Sequence, residues 1–166
     1  MTAAKLKLPA DDYISLLLFY QAYANTLDSG DWNDWPAFFT EDCVYKVQPR
    51  ENFDQNLPLG TLAFESQGML KDRVYCIRET LYYEPYYQRH VVGSPVVTAI
   101  DGDTVNAHAS YAVFRTKPDD TTHVYNVGRY IDQLVRSPDA AHGWLLKSRI
   151  CVFDSDLILN SMIYPI

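Results

Sequence analysis

The sequence lacks the short motifs that mark most metal, nucleotide and covalent-catalysis sites. It contains no Cys-x-x-Cys, His-x-x-His or His-Glu-x-x-His spacing and no glycine-rich phosphate loop. It also contains no Gly-x-Ser-x-Gly elbow and no cysteine beside an obvious base. The four histidines are isolated from one another, at His90, His108, His123 and His142. We therefore interpret them as structural and expect this chain to hold no metal or other cofactor.

Clusters of positive charge are also missing. The chain has 14 lysines and arginines against 21 aspartates and glutamates, which gives a net charge of −7. Because proteins bind nucleic-acid phosphates through clustered cations, we expect no nucleic-acid partner. The apolar run at 13–20 is too short to span a bilayer, and the first residues do not resemble a signal peptide. Three widely spaced cysteines suit reduced thiols, so we expect a cytoplasmic protein without a membrane partner.

The composition is that of a folded protein. Hydrophobic residues make up 48% and charged residues 21% of the 166 residues, enough to bury the core of one domain. We predict a single domain, 1–166, with a mainly helical half containing a short strand (1–81), an antiparallel sheet (82–154) and an apolar tail (155–166). Helices first and strands afterwards are typical of the α+β class.

Apolar spacing predicts the elements of the helical half. Apolar residues at intervals of three and four predict a first helix, at Tyr13, Leu16, Tyr20, Tyr23 and Leu27. We expect Asp11 and Asp12 to cap its start and Gly30 to end it in a left-handed conformation. Pro36 is expected in the first turn of a short second helix. Polar residues, proline and glycine predict a loop over 50–60, ahead of another helix.

Strand patterns dominate the second half. The dipeptide Asp101-Gly102 predicts a tight hairpin. In the strand pattern after residue 122, apolar residues are expected to share the buried face, namely Tyr125, Val127, Ile131 and Val135. Gly128 is a candidate bend point. A strongly curved, mainly antiparallel sheet that wraps the N-terminal helices would form a cone with an interior cavity.

Three residues could perform acid–base chemistry inside such a cone. Asp28 ends the first helix, Tyr45 lies on the following strand and His90 opens the sheet. If they converge, the aspartate could orient the imidazole and the tyrosine could donate to a substrate oxygen, as in a small isomerase, cyclase or dehydratase. The alternative is that His90 and Asp28 form a structural tie. A third possibility is a cavity that only holds a ligand.

The stretch ETLYYEPYYQRHVVGSP, residues 79–95, favours a contact with another protein. Tyrosine and arginine are the residues that most often anchor protein interfaces, and so many of them cannot all face a small cavity. The apolar tail is expected to dock either back on the domain or onto a neighbour. Our interface candidates are Arg50, Glu51, Phe53, Tyr83, Tyr86, Tyr87, Arg89, Ile163 and Tyr164.

Several longer segments resemble known families. LDSGDWNDWPAFFTEDCVY and YYQRHVVGSP resemble the cystatin-like cone of nuclear-transport-factor-like proteins, which includes ketosteroid isomerases and scytalone dehydratase. KVQPRENFDQNLPLG, MLKDRVYCIRETLYYEPYYQRHVVG, SRICVFDSD and NSMIYPI resemble the small (beta) subunit of bacterial aromatic-ring-hydroxylating (Rieske non-haem iron) oxygenases. The likeness covers nearly the whole chain and is greatest to the small subunit of salicylate 5-hydroxylase.

The resemblance implies a division of labour between subunits. In such enzymes the large (alpha) subunit carries a Rieske [2Fe-2S] cluster and a mononuclear non-haem iron, and a ferredoxin and a reductase deliver electrons from NADH. The small subunits make homotrimeric contacts under the large subunits in an alpha3beta3 heterohexamer. This chain would then be a non-catalytic structural subunit. The family assigns no chemistry to Asp28, Tyr45 or His90, so their match to distant cone enzymes is an analogy of fold.

Overall fold

The computed structural model describes residues 8–158 and 161–166. The helical elements are α1 (Ala10–Ser29), a 3-10 helix (Trp32–Phe38), α2 (Arg50–Asp54) and α3 (Gln67–Tyr75), which continues as a π-helical turn (Cys76–Thr80). The strands are β1 (Phe39–Pro49), β2 (Leu62–Phe64), β3 (Tyr87–Val92), β4 (Val96–Asp101), β5 (Thr104–Thr116), β6 (His123–Arg136) and β7 (Trp144–Phe153).

All seven strands form one sheet with the order β2-β1-β7-β6-β5-β3, and β4 also pairs with β5. The strands are antiparallel except for β1 and β7, which pair in parallel. The helices pack on the inner face of this curved mixed sheet, so the predicted α+β cone is confirmed. The parallel pair joins the helical half to the last strand.

Helix α1 provides the largest helical contribution to the core. Its buried face consists of Leu16, Phe19, Tyr20, Tyr23, Ala24 and Leu27, and Gly30 ends it at φ +78°, as predicted. Its N-cap is Pro9, so the prediction that Asp11 and Asp12 cap the helix is wrong. Both aspartates lie inside the first turn, where carboxylates interact favourably with the helix dipole. Neither α1 nor any other helix among the described residues combines the length and hydropathy needed to cross a membrane.

Two short helices differ from the prediction. The element around Pro36 is a 3-10 helix that begins at Trp32, so the proline lies in its interior and not in its first turn. Part of the expected loop over 50–60 is helix α2, which follows Pro49 directly. Proline fixes its own φ at a value suited to a position just before a helix, and the amide of Gln55 donates to the Glu51 carbonyl at 3.1 Å.

The face of β6 that points inward differs from the prediction. Its buried residues include Asn126, Gly128, Tyr130, Asp132 and Leu134, whereas Val127 is 40% exposed. A bulge between β5 and β6 shifts the register next to Tyr125, because Val113 pairs with Asn126 but Phe114 pairs with Val124. Tyr125 is therefore buried on the same side as its neighbour, and the alternation counted forward from it selects the wrong face.

Candidate functional site

Asp28 and His90 form a buried pair between the last turn of α1 and strand β3. The Asp28 Oδ1 atom lies 2.6 Å from His90 Nδ1, and Asp28 Oδ2 accepts a hydrogen bond from the His90 backbone amide at 2.9 Å. Their side chains are 4% and 0% exposed. One carboxylate thus binds both the ring and the backbone of the same strand residue, which fixes β3 against the end of the helix. The other ring nitrogen, Nε2, is buried and has no hydrogen-bond partner among the described residues.

Tyr45 lies on the inner face of β1 and contacts a different part of the chain. Its hydroxyl accepts a hydrogen bond from the Ile166 amide at 2.9 Å and donates one to the Ile166 carbonyl, also at 2.9 Å. Tyr23 donates to the same carbonyl at 3.2 Å, and Trp35 Nε1 donates to the Tyr23 hydroxyl at 3.0 Å. Burial raises the pKa of the Tyr45 phenol well above its usual value, so the group stays neutral.

Residues 161–166, which we call the tail, are anchored on their own domain. The Arg73 guanidinium donates to the carbonyls of Met162 and Ile163, both at 2.7 Å. Ile166 is 0% exposed and belongs to the core cluster. Of the two docking possibilities for the apolar C-terminal residues, the structure shows the intramolecular one for this segment. The part of the apolar tail at 159–160 lies outside the described residues.

An aromatic cluster holds the tail at the mouth of the cone. The Tyr164 ring lies 4.6 Å from the Trp32 ring and 4.4 Å from the Tyr86 ring, measured between centroids, and its hydroxyl donates to Tyr83 at 3.1 Å. A groove of about 310 Å³ opens beside this cluster. Asp28 contributes to its wall, whereas His90 and Tyr45 do not line it. The structure therefore brings Asp28 and His90 together, whereas the hydroxyl of Tyr45 is hydrogen-bonded to the tail.

Sequence reasoning missed a fully buried pair of charged residues, Arg149 and Asp132. The Arg149 guanidinium donates to both carboxylate oxygens of Asp132, at 2.9 and 2.7 Å, and both side chains are 0% exposed. Tyr20 donates to the same carboxylate. The guanidinium carbon lies 4.1 Å from the ring centroids of Tyr23 and Tyr130. Burial by itself would lower the pKa of Arg149, but Asp132 more than offsets this and keeps the arginine charged.

A signal for this pair is present in the sequence. Asp132 and Arg149 lie directly opposite each other in the β6–β7 ladder. Each also alternates with apolar residues that face the core, so two opposite charges lie on the apolar faces of consecutive strands. A charged residue on such a face is rarely left without a partner. Once Asp132 is assigned to the buried face of β6, its pairing with Arg149 can be predicted.

The interface candidates fall into two groups. Tyr83, Tyr86, Ile163 and Tyr164 are half-buried or buried by contacts within the chain, whereas Tyr87 is 78% exposed and the Arg89 side chain is 72% exposed. Tyr82, which was not among the candidates, is fully exposed.

The candidates Arg50, Glu51 and Phe53 lie on α2. The Arg50 side chain is 52% exposed and forms an ion pair with Asp154 at 3.1 Å, and the Phe53 ring lies under the Arg129 guanidinium at 5.8 Å. Arg50 and Glu51 are exposed, whereas Phe53 is half-buried. Whether either group of candidates meets another subunit remains a prediction.

Comparison with known proteins places this geometry in a family. The SnoaL-like domain family matches residues 10–150. The chain is 32% identical over 155 residues to the anthranilate 1,2-dioxygenase small subunit of Burkholderia cepacia, covering 93% of this chain and 94% of that one. It is 34% identical over 153 residues to beta subunit 2 of the terminal oxygenase component of terephthalate 1,2-dioxygenase from Comamonas sp, covering 92% and 97%. The chain belongs to the small subunits of aromatic-ring dioxygenases.

Solved structures agree with this assignment. A crystal structure from Novosphingobium aromaticivorans, described as the beta subunit of an aromatic-ring-hydroxylating dioxygenase, superposes on this small subunit with a TM-score of 0.83 at 36% identity, covering 93% and 95% of the two chains. The beta subunit of benzoate 1,2-dioxygenase from Burkholderia mallei has a TM-score of 0.73 at 16% identity, which shows the fold alone. The predicted resemblance is confirmed at the level of the family, and so is the prediction that the chain is one subunit of an oxidoreductase.

Proposed function

We propose that this small subunit is the non-catalytic structural component of a Rieske-type aromatic-ring-hydroxylating oxygenase and supports assembly of the iron-bearing large subunit. The observation that carries the proposal is that Ile166 of the tail lies in the core and binds the Tyr45 hydroxyl. Tyr45, one of the three residues that an acid–base enzyme would need, makes its hydrogen bonds with Ile166. The Asp28 carboxylate contacts the ring nitrogen and accepts from the backbone amide of His90, so it links α1 to β3.

The proposal assigns the redox chemistry to a partner. Within residues 8–158 and 161–166 there is no group of three histidine, cysteine or acidic side chains that could hold a metal ion. We therefore place the Rieske [2Fe-2S] cluster and the mononuclear iron in the large subunit, supplied with electrons by ferredoxin and reductase. The assembly is an alpha3beta3 heterohexamer in the cytoplasm, and the small subunit contributes one domain whose candidate contacts include the exposed Tyr87 and Arg89.

We further propose salicylate as the substrate of the complex and gentisate as its product. Anthranilate, terephthalate and benzoate, which appear in the names of related proteins, are like salicylate benzene-ring carboxylates. The finer choice among them rests on the likeness of the segments quoted above to the salicylate 5-hydroxylase small subunit. The reaction consumes salicylate, O2, NADH and a proton, and it yields gentisate, NAD+ and water.

Replacing His90 with asparagine separates a structural role from a catalytic one. The asparagine Nδ2 atom can take the position of the imidazole Nδ1 and donate to Asp28, but it supplies no equivalent of Nε2. We expect the His90→Asn subunit, co-expressed with the large subunit, to give a complex whose turnover per iron is within about twofold of the wild type. The measurement is oxygen consumption normalised to iron content.

A loss of turnover in an intact complex would contradict this expectation. A general acid or base contributes about 10²–10⁴-fold to rate, so the structural role is wrong if assembly and iron are normal but turnover falls about 100-fold. Tyr45→Phe is the matched second variant. It removes the hydroxyl that binds Ile166, and we expect it to lower stability by about 1–2 kcal/mol with unchanged turnover per iron.

The substrate proposal has its own assay. The reconstituted oxygenase, with its reductase and ferredoxin, is given salicylate, anthranilate or terephthalate at equal concentration. We expect product formation with salicylate, measured as gentisate by liquid chromatography, at a rate at least about 10-fold above the other two acids, which corresponds to a discrimination of roughly 1.4 kcal/mol. Faster turnover of anthranilate or terephthalate would refute the choice of salicylate while leaving the structural role intact.

A further inference from the structure

The groove beside the aromatic cluster has an apolar wall of the kind found in small-molecule sites. Four of its lining residues are aromatic, namely Trp32, Tyr86, Tyr87 and Tyr164, and two are prolines. The rings of Trp32, Tyr164 and Tyr86 pack on one another in that order, at centroid distances of 4.6 and 4.4 Å. Tyr87 is 78% exposed, so its ring can cover a ligand. A volume of about 310 Å³ lies at the lower end of the range for small-molecule sites.

The polar side of the groove is negative. It is formed by the last turn of α1, where Asp28, Ser29 and Gly30 line the groove. The C-terminal end of a helix carries partial negative charge, because its last carbonyl groups have no partner within the helix. A basic residue in the last turn would neutralise this charge, but α1 has none there. Among the described residues that line the groove, Asp28 is the one carboxylate and there is no lysine or arginine.

Gln88 adds a buried acceptor that lacks a donor. Its side-chain nitrogen donates to the carbonyls of Leu27 and Pro165, both at 3.3 Å. Its Oε1 atom is buried and has no hydrogen-bond partner within the part of the chain that the structure describes. Gln88 is 4% exposed and lines the groove. Buried polar groups are nearly always hydrogen-bonded, so the groove favours a ligand that brings an N–H or O–H donor.

Two arginines lie near the groove without lining it. The Arg89 guanidinium is 3.7 Å from the Asp28 carboxylate, and the Arg89 side chain is 72% exposed. An ion pair of this length at the surface is weak, so it leaves the charge of Asp28 largely uncompensated. The Arg115 guanidinium lies over the rings of Tyr86 and Tyr125, at 5.7 and 4.6 Å from their centroids. An anionic ligand would meet the carboxylate and the helix carbonyls at close range and be repelled.

We propose that this groove is a binding site for a small protonated arylalkylamine. Its ammonium group lies at the C-terminal end of α1 beside Asp28 and donates to Gln88 Oε1. Its aromatic ring packs against Tyr87 and Trp32. The negative faces of the tyrosine and tryptophan rings attract the cation as well, and aromatic pairs add their own packing energy. A carboxylate of similar size fits the aromatic wall but not the charge.

Three ligands of similar size and different charge test the recognition. The full-length small subunit is titrated calorimetrically at neutral pH with 2-phenylethylamine, 2-phenylethanol or phenylacetate, which are a cation, a neutral molecule and an anion. We expect the amine to bind with a Kd below about 1 mM. It should bind at least about 10-fold more tightly than the alcohol, with the anion weaker still. Equal or tighter binding of the alcohol or of phenylacetate would overturn the proposal.

Two matched pairs of variants place the ligand in the groove. Tyr87→Ala should weaken amine binding about 5-fold or more, because it removes an exposed ring from the wall. Tyr82→Ala removes a fully exposed ring outside the groove and should bind as the wild type does. Ser29→Lys places an ammonium group at the end of α1 and should weaken amine binding at least about 10-fold. Asn25→Lys adds the same charge one turn earlier, outside the groove, and should leave the Kd within about twofold.

The paired variants also state what would contradict the site. The proposal is wrong if Tyr87→Ala and Tyr82→Ala bind the amine alike, or if Ser29→Lys binds it as tightly as Asn25→Lys. Circular dichroism verifies that each variant is folded, and the exposed position of Tyr87 keeps the first pair decisive if Ser29→Lys is not.

The site goes beyond the proposed function and does not depend on it. His90 and Tyr45 do not line the groove, so binding requires no reaction in the cone. The titration uses the small subunit before assembly, so Tyr87 is accessible whether or not it later meets another subunit. Co-purification with the large subunit reports on the structural role separately, and either result can fail while the other stands.

Discussion

Arg149→Met is expected to lower the free energy of unfolding by about 3–5 kcal/mol, because it leaves the buried carboxylate of Asp132 without its counter-charge. Both side chains are fully buried, so solvent cannot replace the lost hydrogen bonds. The guanidinium also fills the space between the Tyr23 and Tyr130 rings. For a domain of this size the melting temperature should fall by roughly 6–20 °C. Urea unfolding followed by circular dichroism measures the change.

A double variant shows whether the buried charge is the cause. Asp132→Asn removes the charge but keeps an oxygen that can accept from the Tyr20 hydroxyl. We expect Arg149→Met combined with Asp132→Asn to be more stable than Arg149→Met alone. If the two changes simply add, the interaction between the residues is negligible, and the cost of Arg149→Met is one of lost packing.

Gly128→Ala is expected to be the most damaging small substitution in the sheet. A Cβ atom at this position would lie 2.0 Å from the Val152 carbonyl oxygen and 2.8 Å from the Phe153 Cα atom. These are backbone atoms of the neighbouring strand β7, so no side chain can turn away to make room. The two strands would have to separate, at a cost of about 3 kcal/mol or more. We expect little or no soluble protein, or a melting temperature at least about 6 °C lower.

The same substitution elsewhere provides the control. Gly68 lies in the first turn of α3, and its nearest neighbour to an added Cβ is the Ser66 hydroxyl at 3.6 Å, an ordinary contact. Gly68→Ala should therefore stabilise the protein by about 0.5–1 kcal/mol, because alanine has less backbone freedom to lose on folding. A Gly128→Ala variant that melts at the wild-type temperature would show that β7 can move away from β6.

The local elements could be predicted where one physical rule determined them. The spacing of Leu16, Tyr20 and Tyr23 specifies a helix face, and Gly30 has the left-handed conformation that ends the helix. The sequence also located the hairpin between β4 and β5, although the turn residues are Gly102, at φ +56°, and Asp103, because Asp101 is still paired with Thr104. In these cases the residues that make the pattern are also those that make the contacts, so sequence neighbours carry the information.

The parts that could not be predicted depend on pairings between distant residues. The bulge next to Tyr125 changes which face of β6 is buried, and it is a property of the β5–β6 ladder. The pairing of β1 with β7 is parallel and joins strands separated by most of the chain. Predicted strands in sequence order favour an antiparallel meander, so neither feature follows from local pattern.

The candidate site was predicted in part for the same reason. Asp28 and His90 could be associated because a helix end and the opening of a sheet commonly meet in a cone. The partner of Tyr45 could not be deduced, because its hydroxyl binds Ile166, 121 residues away. The apolar residues of the tail indicated that it docks. They gave no information about which side chains would form hydrogen bonds with its backbone.

The tail also affects the order in which this protein can mature on the ribosome. Tyr23, Tyr45 and Arg73 obtain partners at separations of 143, 121 and 89 residues, so these bonds form only after residues 162–166 have left the exit tunnel. Until then, nascent α1 and β1 lack the group that completes the core between them. Contacts of such long range form slowly, and we expect the chain to depend on chaperones during this interval, with premature truncation near residue 160 leading to degradation.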